Sequence, residues 1–263
     1  MNLHERCLYY EVHGTGRPVV LLAGYATDSS GWFLQTPALA RRHRVILVDN
    51  RGVGRSPSPP GPWSIEAMAA DTLAVLDRLG VCSAVLVGHS MGGAIAQRIA
   101  LMQPERVSGL VLACSFARTT PKAAAILRSF GRSLAEGVSR ELFVQLLLPW
   151  LFSPAFFQNQ AAVDEAVTAF VNYPYPQSAE HNQLQVEAVL AHDTRDELRA
   201  LSCPTMVLGA EEDLLILPPE ARALAAAIPN ASLELIPKAG HSCMVESPDL
   251  FTAAVDRFLA SLG

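Results

Sequence analysis

Val87-Gly88-His89-Ser90-Met91-Gly92-Gly93 sets a serine between two glycines, directly after the apolar run "SAVLVG" (83–88) and directly before "GGAIAQRIALMQ" (92–103). A linker has no need of the apolar flanks, and a core strand has no need of the glycines. A strand, a sharp turn and a helix account for both. Such a turn strains the serine backbone, so glycines at its sides relieve contact with neighbouring chain, and the hydroxyl stands clear of the sheet. The following amide, that of Met91, then falls at a helix N-terminus, where the dipole favours negative charge. A hydroxyl beside an anion-binding amide suits acyl transfer.

Outward from this motif the chain alternates short apolar runs with helix-like segments. "CLYYEV", a turn at Gly14-Thr15-Gly16 and "PVVLLAG" read as a β-hairpin leading into a buried strand. "SGWFLQTPALARR" reads as one helix, "RVILVD" as a strand, and Ser64 as the N-cap of a helix running to Gly80. After the serine come a helix stopping before Pro104 and the strand "VSGLVLAC". The rhythm breaks near Arg118 and resumes near Arg199 with "PTMVLG", "PPEARALAAAI", "ASLELIP" and a last helix from Pro248. Alternation at these lengths predicts an α/β fold, a mostly parallel sheet flanked by helices. The expected core is 1–117 with 200–263, and 118–199 is a helical insertion opened by Thr120 and Pro121 as N-cap and N1. Nine of the eighteen aromatic residues lie between Arg118 and Arg199. Large apolar groups in that density are expected to cover something, as a cap or lid.

Bulk composition narrows the function. Half of the 263 residues are hydrophobic and 17% are charged, enough apolar material for one sizeable core. A net charge of −5 without like-charge blocks gives no nucleic-acid footprint. No apolar stretch reaches the roughly 20 residues of a membrane span, and "MNLHERCLYY" has no apolar signal region. Cys7, Cys82, Cys114, Cys203 and Cys243 are odd in number and lack metal-ligand spacing, so reduced packing thiols in a cytoplasmic protein and no metal are expected; acyl transfer by a serine implies no cofactor. A small-molecule partner is expected, and a homodimer is allowed.

A serine hydroxyl needs an adjacent base to act as nucleophile at neutral pH. His241, in "KAGHSCMVESP", follows the strand "ASLELIP"; Asp213, in "GAEEDLLILP", follows "PTMVLG". Both fall at C-terminal strand ends, the edge of a parallel sheet where sites are built. The plainer reading of Glu211-Glu212-Asp213 is a solvated acidic turn, and Glu212 is the alternative acid.

The whole chain resembles the α/β-hydrolases with an inserted cap, on the strength of "VGHSMGG", "VDNRGVGRS" (48–56) and the Asp213 and His241 segments. It is similar to bacterial carboxylesterases and 3-oxoadipate enol-lactonase-like hydrolases. The resemblance implies Ser90 as nucleophile, His241 as general base and then acid, and Asp213 as the carboxylate that orients it. It implies a second oxyanion donor, the backbone N–H of Tyr25, beside that of Met91. Many relatives carry His-Gly where this chain has Ala23-Gly24.

Three further stretches have plainer readings. "DNRGVGRS" lacks the Lys-Ser/Thr ending of a P-loop and the full G-x-G-x-x-G spacing, so it reads as a structural turn. Arg128 and Arg132 share a helix face and read as solvated. "VQLLLPWLFSPAFF" (144–157) is too short and proline-broken to span a membrane. A serine at the turn also selects the chemistry. On haloalkanes or epoxides it would leave an ether that water does not readily cleave, whereas esters, lactones and thioesters give an acyl-enzyme that water opens. Hydrolysis of an activated C–C bond ranks lower because His89 stands where such relatives often carry Asn. A silent binding member of the fold ranks lower because all three triad positions are filled.

Overall fold

The computed structural model describes residues 8–58 and 63–263; Cys7 lies outside the described residues. Seven strands form one sheet, β1 (Tyr10–His13), β2 (Arg17–Leu22), β3 (His43–Val48), β4 (Ala84–His89), β5 (Val107–Ala113), β6 (Thr205–Ala210) and β7 (Ser232–Ile236), in the order β1-β3-β2-β4-β5-β6-β7. All neighbours pair in parallel except β1, which runs antiparallel to β3. The expected hairpin between β1 and β2 is therefore not formed. β2 is fully buried from Val19 to Leu22 and is flanked by β3 and β4, so β1 takes the remaining edge beyond β3.

Residues alternate between two layers, as the strand period of two requires. Val20, Leu22, Ile46, Val48 and Leu86 pack on one face against α2 (Ile65–Arg78) and α3 (Met91–Met102). Val19, Leu21, Val45, Leu47 and Val85 pack on the other, together with Trp32, Leu39 and Phe251. That second face carries α1 (Thr36–Leu39) and α10 (Pro248–Ser261), with the short α9 (Cys243–Glu246) leading into α10. The helix expected over 30–42 is instead a 3₁₀ turn, Ser29–Trp32, followed by the single turn of α1. Pro37 supplies no N–H to join them, and Asp28 and the Thr36 hydroxyl satisfy local backbone groups instead.

Between β5 and β6 lie α4 (Pro121–Ala135), α5 (Arg140–Leu151), α6 (Gln160–Val171) and α7 (Ala179–Ala191); α8 (Pro218–Ala227) follows β6. Thr120 caps α4 by accepting from Ala123 N–H at 3.3 Å, and Ser64 caps α2 from Ala67 N–H at 3.1 Å. The two ends of the helical segment meet where Arg118 bridges Asp193 and Thr194 N–H donates to the Ala117 carbonyl at 2.9 Å. Among the described residues, no helix is long and apolar enough to cross a membrane.

Leu86 sits in the middle of β4 with no exposed surface. Leu86→Ala is expected to cost about 2–5 kcal/mol, seen as a lower urea midpoint at unchanged slope. A midpoint equal to the parent's would mean that the sheet face closes over the lost methyls.

Candidate active site

β4 ends at His89 and α3 begins at Met91, leaving Ser90 alone at the corner. Its backbone has φ 53° and ψ −117°, a left-handed conformation that costs about 1–3 kcal/mol and must be held by its surroundings. The Ser90 N–H donates to the Ala113 carbonyl at 2.8 Å. Its own carbonyl accepts from Gly93 N–H at 2.9 Å and from the Ser115 hydroxyl at 2.9 Å. The helix starts hard against β2, because a Cβ on Gly92 would collide with the Leu22 carbonyl oxygen, and one on Gly88 with the Gly92 carbonyl.

Asp213 and His241, 28 residues apart, meet at the C-terminal sheet edge: His241 Nδ1–H donates to Asp213 Oδ2 at 2.8 Å. Both are almost wholly buried, at 1% and 3% exposure. The other carboxylate oxygen accepts the amides of Leu215 and Ile216 at 2.8 and 2.9 Å, which fixes its plane. Glu212 is only half-buried and is bound through its backbone N–H to the Ala239 carbonyl. Its side chain is not the partner of His241. An imidazole that donates from Nδ1 keeps the Nε2 lone pair free to take a proton.

His89 was a weak signal in the sequence. Its Nε2–H donates to the His241 carbonyl at 2.9 Å, and the two rings lie 4.8 Å apart. Burial pushes the imidazole down to about 3, helped by the neighbouring His241, so the ring is neutral. The His241 loop is also tied to the helical segment. Glu246 accepts Gly240 N–H at 2.6 Å with one oxygen, and the Ser153 amide and hydroxyl at 3.0 and 2.6 Å with the other. Ser242 N–H donates to the Leu151 carbonyl at 2.8 Å.

Tyr25 follows β2 in a turn closed by Thr27 N–H to the Gly24 carbonyl at 3.3 Å. A Cβ on Gly24 would lie 3.0 Å from His89 Nδ1 and 3.3 Å from Ser90 Cβ, so this turn presses on the serine corner. The Tyr25 hydroxyl donates to Asn182, and burial raises its phenol. Ala26 N–H donates to Gln185 Oε1 at 2.9 Å. Neither Asn182 nor Gln185 is visible as a site residue in the sequence, because both look like ordinary polar positions of a helix.

Tyr25, Ser90 and His241 line one cavity of about 260 Å³, walled by apolar side chains such as Phe130, Leu147 and Phe152. A second chamber of about 330 Å³ adjoins it through Ala26, Thr27 and Phe170 and holds Asp28, Arg140 and Gln177. Met91, fully buried, begins α3, and its amide belongs to that helix's first turn. Arg128 and Arg132 are exposed, and Arg132 pairs with Glu136 at 2.6 Å. The 49–56 stretch is a structural turn in which Asp49 accepts the amides of Ser29 and Arg55 at 2.9 and 3.0 Å. Among the described residues, His89, Cys114 and His241 bring metal-binding atoms within 4.8 Å of one another. A cation there would compete with the His241–Asp213 bond and with the Cys114–Cys243 contact at 3.6 Å. The described cysteines are free thiols.

With this fold and site the chain belongs to the α/β hydrolase fold family, whose pattern it matches over residues 17–248. It is 34% identical over 246 residues to RutD of Azorhizobium caulinodans, whose name provisionally assigns carbamate hydrolysis; the match covers 93% of this chain and 91% of that protein. A thermophilic esterase from Thermogutta terrifontis, solved with malate bound, is 33% identical with a TM-score of 0.86, covering 97% of this chain and 93% of that one. The enol-lactonase of Burkholderia xenovorans is 28% identical with a TM-score of 0.86, and 96% of each chain is covered. This chain is a hydrolase of that fold.

The neutral His89 makes stability depend on pH. Unfolded, the ring binds a proton near its ordinary value of 6.5, whereas in the fold it resists protonation down to about 3. Its contribution is therefore complete above pH 6.5 and is lost as pH falls, at about 1.4 kcal/mol per unit. His89→Gln, which keeps a donor for the His241 carbonyl, is expected to flatten the fall in urea-unfolding free energy between about pH 6.5 and 5. An unchanged slope would show that His89 is protonated in the fold.

Proposed function

We propose that the chain is a serine hydrolase that cleaves a small or medium apolar carboxylic ester or lactone through an acyl-enzyme on Ser90. The observation that carries this reading is that the strained Ser90 corner and His241, bonded behind to the buried Asp213, line one apolar cavity. His241 Nε2 takes the Ser90 proton as Oγ attacks the carbonyl carbon, and Asp213 stabilises the imidazolium that forms. The oxyanion is held by the backbone N–H groups of Tyr25 and Met91. His241 then gives its proton to the departing alkoxide, the C–O bond breaks, and water repeats the cycle to release the acid. In a lactone both products stay joined. No step needs a cofactor.

The substrate class follows from the walls. Phe130, Val144, Leu147 and Phe152 offer no hydrogen bonds, so they favour an apolar acyl or alcohol arm. Residues 118–199 act as the cap that carries most of these walls. The same attack applies to a carbamate carbonyl, which is the bond class in the name of RutD, and the esterase and enol-lactonase relatives act on the other two.

Ser90→Ala is expected to abolish turnover and labelling by a fluorophosphonate probe while leaving the thermal midpoint near the parent's. Retained turnover would overturn the assignment. Asp213→Asn is expected to lower kcat by about 10⁴ through the wrong imidazole tautomer. A graded panel of p-nitrophenyl esters, with an enol-lactone and an alkyl carbamate beside it, identifies the preferred bond. No turnover of any member by the parent would favour a binding role.

A further inference from the structure

We infer that Asn182 and Gln185, one turn apart on α7, are positioning residues for the oxyanion amide of Tyr25. This rests on the proposed serine-hydrolase reading. The donor is the N–H of the peptide joining Gly24 to Tyr25, so its aim depends on how that plane is held. Its carbonyl, on Gly24, accepts Thr27 N–H at 3.3 Å. The next peptide is gripped at both ends: Gln185 Oε1 accepts its N–H, on Ala26, at 2.9 Å, and Thr27 Oγ1 donates to its carbonyl, on Tyr25, at 3.1 Å. Asn182 accepts from the Tyr25 hydroxyl. Backbone and side chain of Tyr25 are thus fixed together, two of the bonds coming from a helix more than 150 residues away.

Two features say that this grip is needed. Ala26 has φ 54°, a left-handed conformation for a residue with a Cβ, which persists only where the surroundings over-determine it. Ala23, buried at 2% exposure, brings only a methyl to the turn, so polar bracing comes from elsewhere. Asn182 and Gln185 are themselves 1% and 0% exposed, and two buried amides on one helix face are costly unless they meet polar partners. Asn182 Nδ2 continues to Gln177 Oε1 at 3.1 Å. Gln185 Nε2 has no partner among the described residues, so the Ala26 N–H is the bond that justifies this side chain's burial.

The test uses the full chain, p-nitrophenyl butyrate, and an alkyl trifluoromethyl ketone, which forms a tetrahedral alkoxide with a reactive serine. Gln185→Met keeps the length of the side chain and removes the acceptor. Tyr25→Phe keeps the ring and removes the tether to Asn182, and carries the test if the first variant does not fold. In each, kcat is expected to fall about tenfold or more with KM within about twofold, and ketone affinity to fall in step with kcat/KM, because only the tetrahedral state uses the amide. Hydrogen exchange at the Ala26 amide is expected to quicken in Gln185→Met. Faster exchange with kcat unchanged, or a change confined to KM, would overturn the inference while leaving the serine mechanism standing. Turnover that survives Ser90→Ala would overturn the mechanism itself.

Discussion

One backbone corner governs the rest of the molecule. Ser90 can hold its left-handed conformation only because β4 is buried between β2 and β5 and because α3 can approach the Leu22 carbonyl without a Cβ in the way. The parallel sheet supplies the rigid floor, and glycines at 88 and 92 supply the clearance. Every other site element is placed at the same sheet edge: the Tyr25 turn after β2, Asp213 after β6 and His241 after β7. A one-residue slip of these strands would carry every side chain from its own packed layer into the opposite one, so their loop ends stay aligned.

The helices between β5 and β6 are joined to this edge by hydrogen bonds on two opposite sides. α7 holds the Tyr25 turn through Asn182 and Gln185, while the segment after α5 holds the His241 loop through Ser153 and Glu246. Apolar contact alone would let such a segment slide, since the hydrophobic effect has no direction. Directional hydrogen bonds fix its seat. The cavity wall and the polar corners of the site are therefore parts of one construction.

Much of this was legible in the sequence. The β/α rhythm, the Ser64 and Thr120 caps and the Ser90 turn follow from local period and punctuation, while the α/β hydrolase fold comes from a resemblance carried by the motifs around Ser90, Asp213 and His241. The misses have a common cause. β1 and β2 looked like a hairpin because the turn between them is local, but strand order is decided by which strands must be buried on both sides. The stretch 30–42 looked like one helix because its apolar spacing fits, whereas Pro37 and the side chains of Asp28 and Thr36 divide it. Asn182, Gln185 and Glu246 carry no motif, since their meaning lies in partners brought near by folding rather than in spacing.

Next to His241 stands a second ring that burial keeps uncharged. Paired histidines often titrate as a unit, sharing protons so that neither ionisation belongs to one ring. Here the partner drops out of the equilibrium throughout the neutral range. An NMR titration would accordingly find the His89 ring signal standing still from neutral pH well into the acid range.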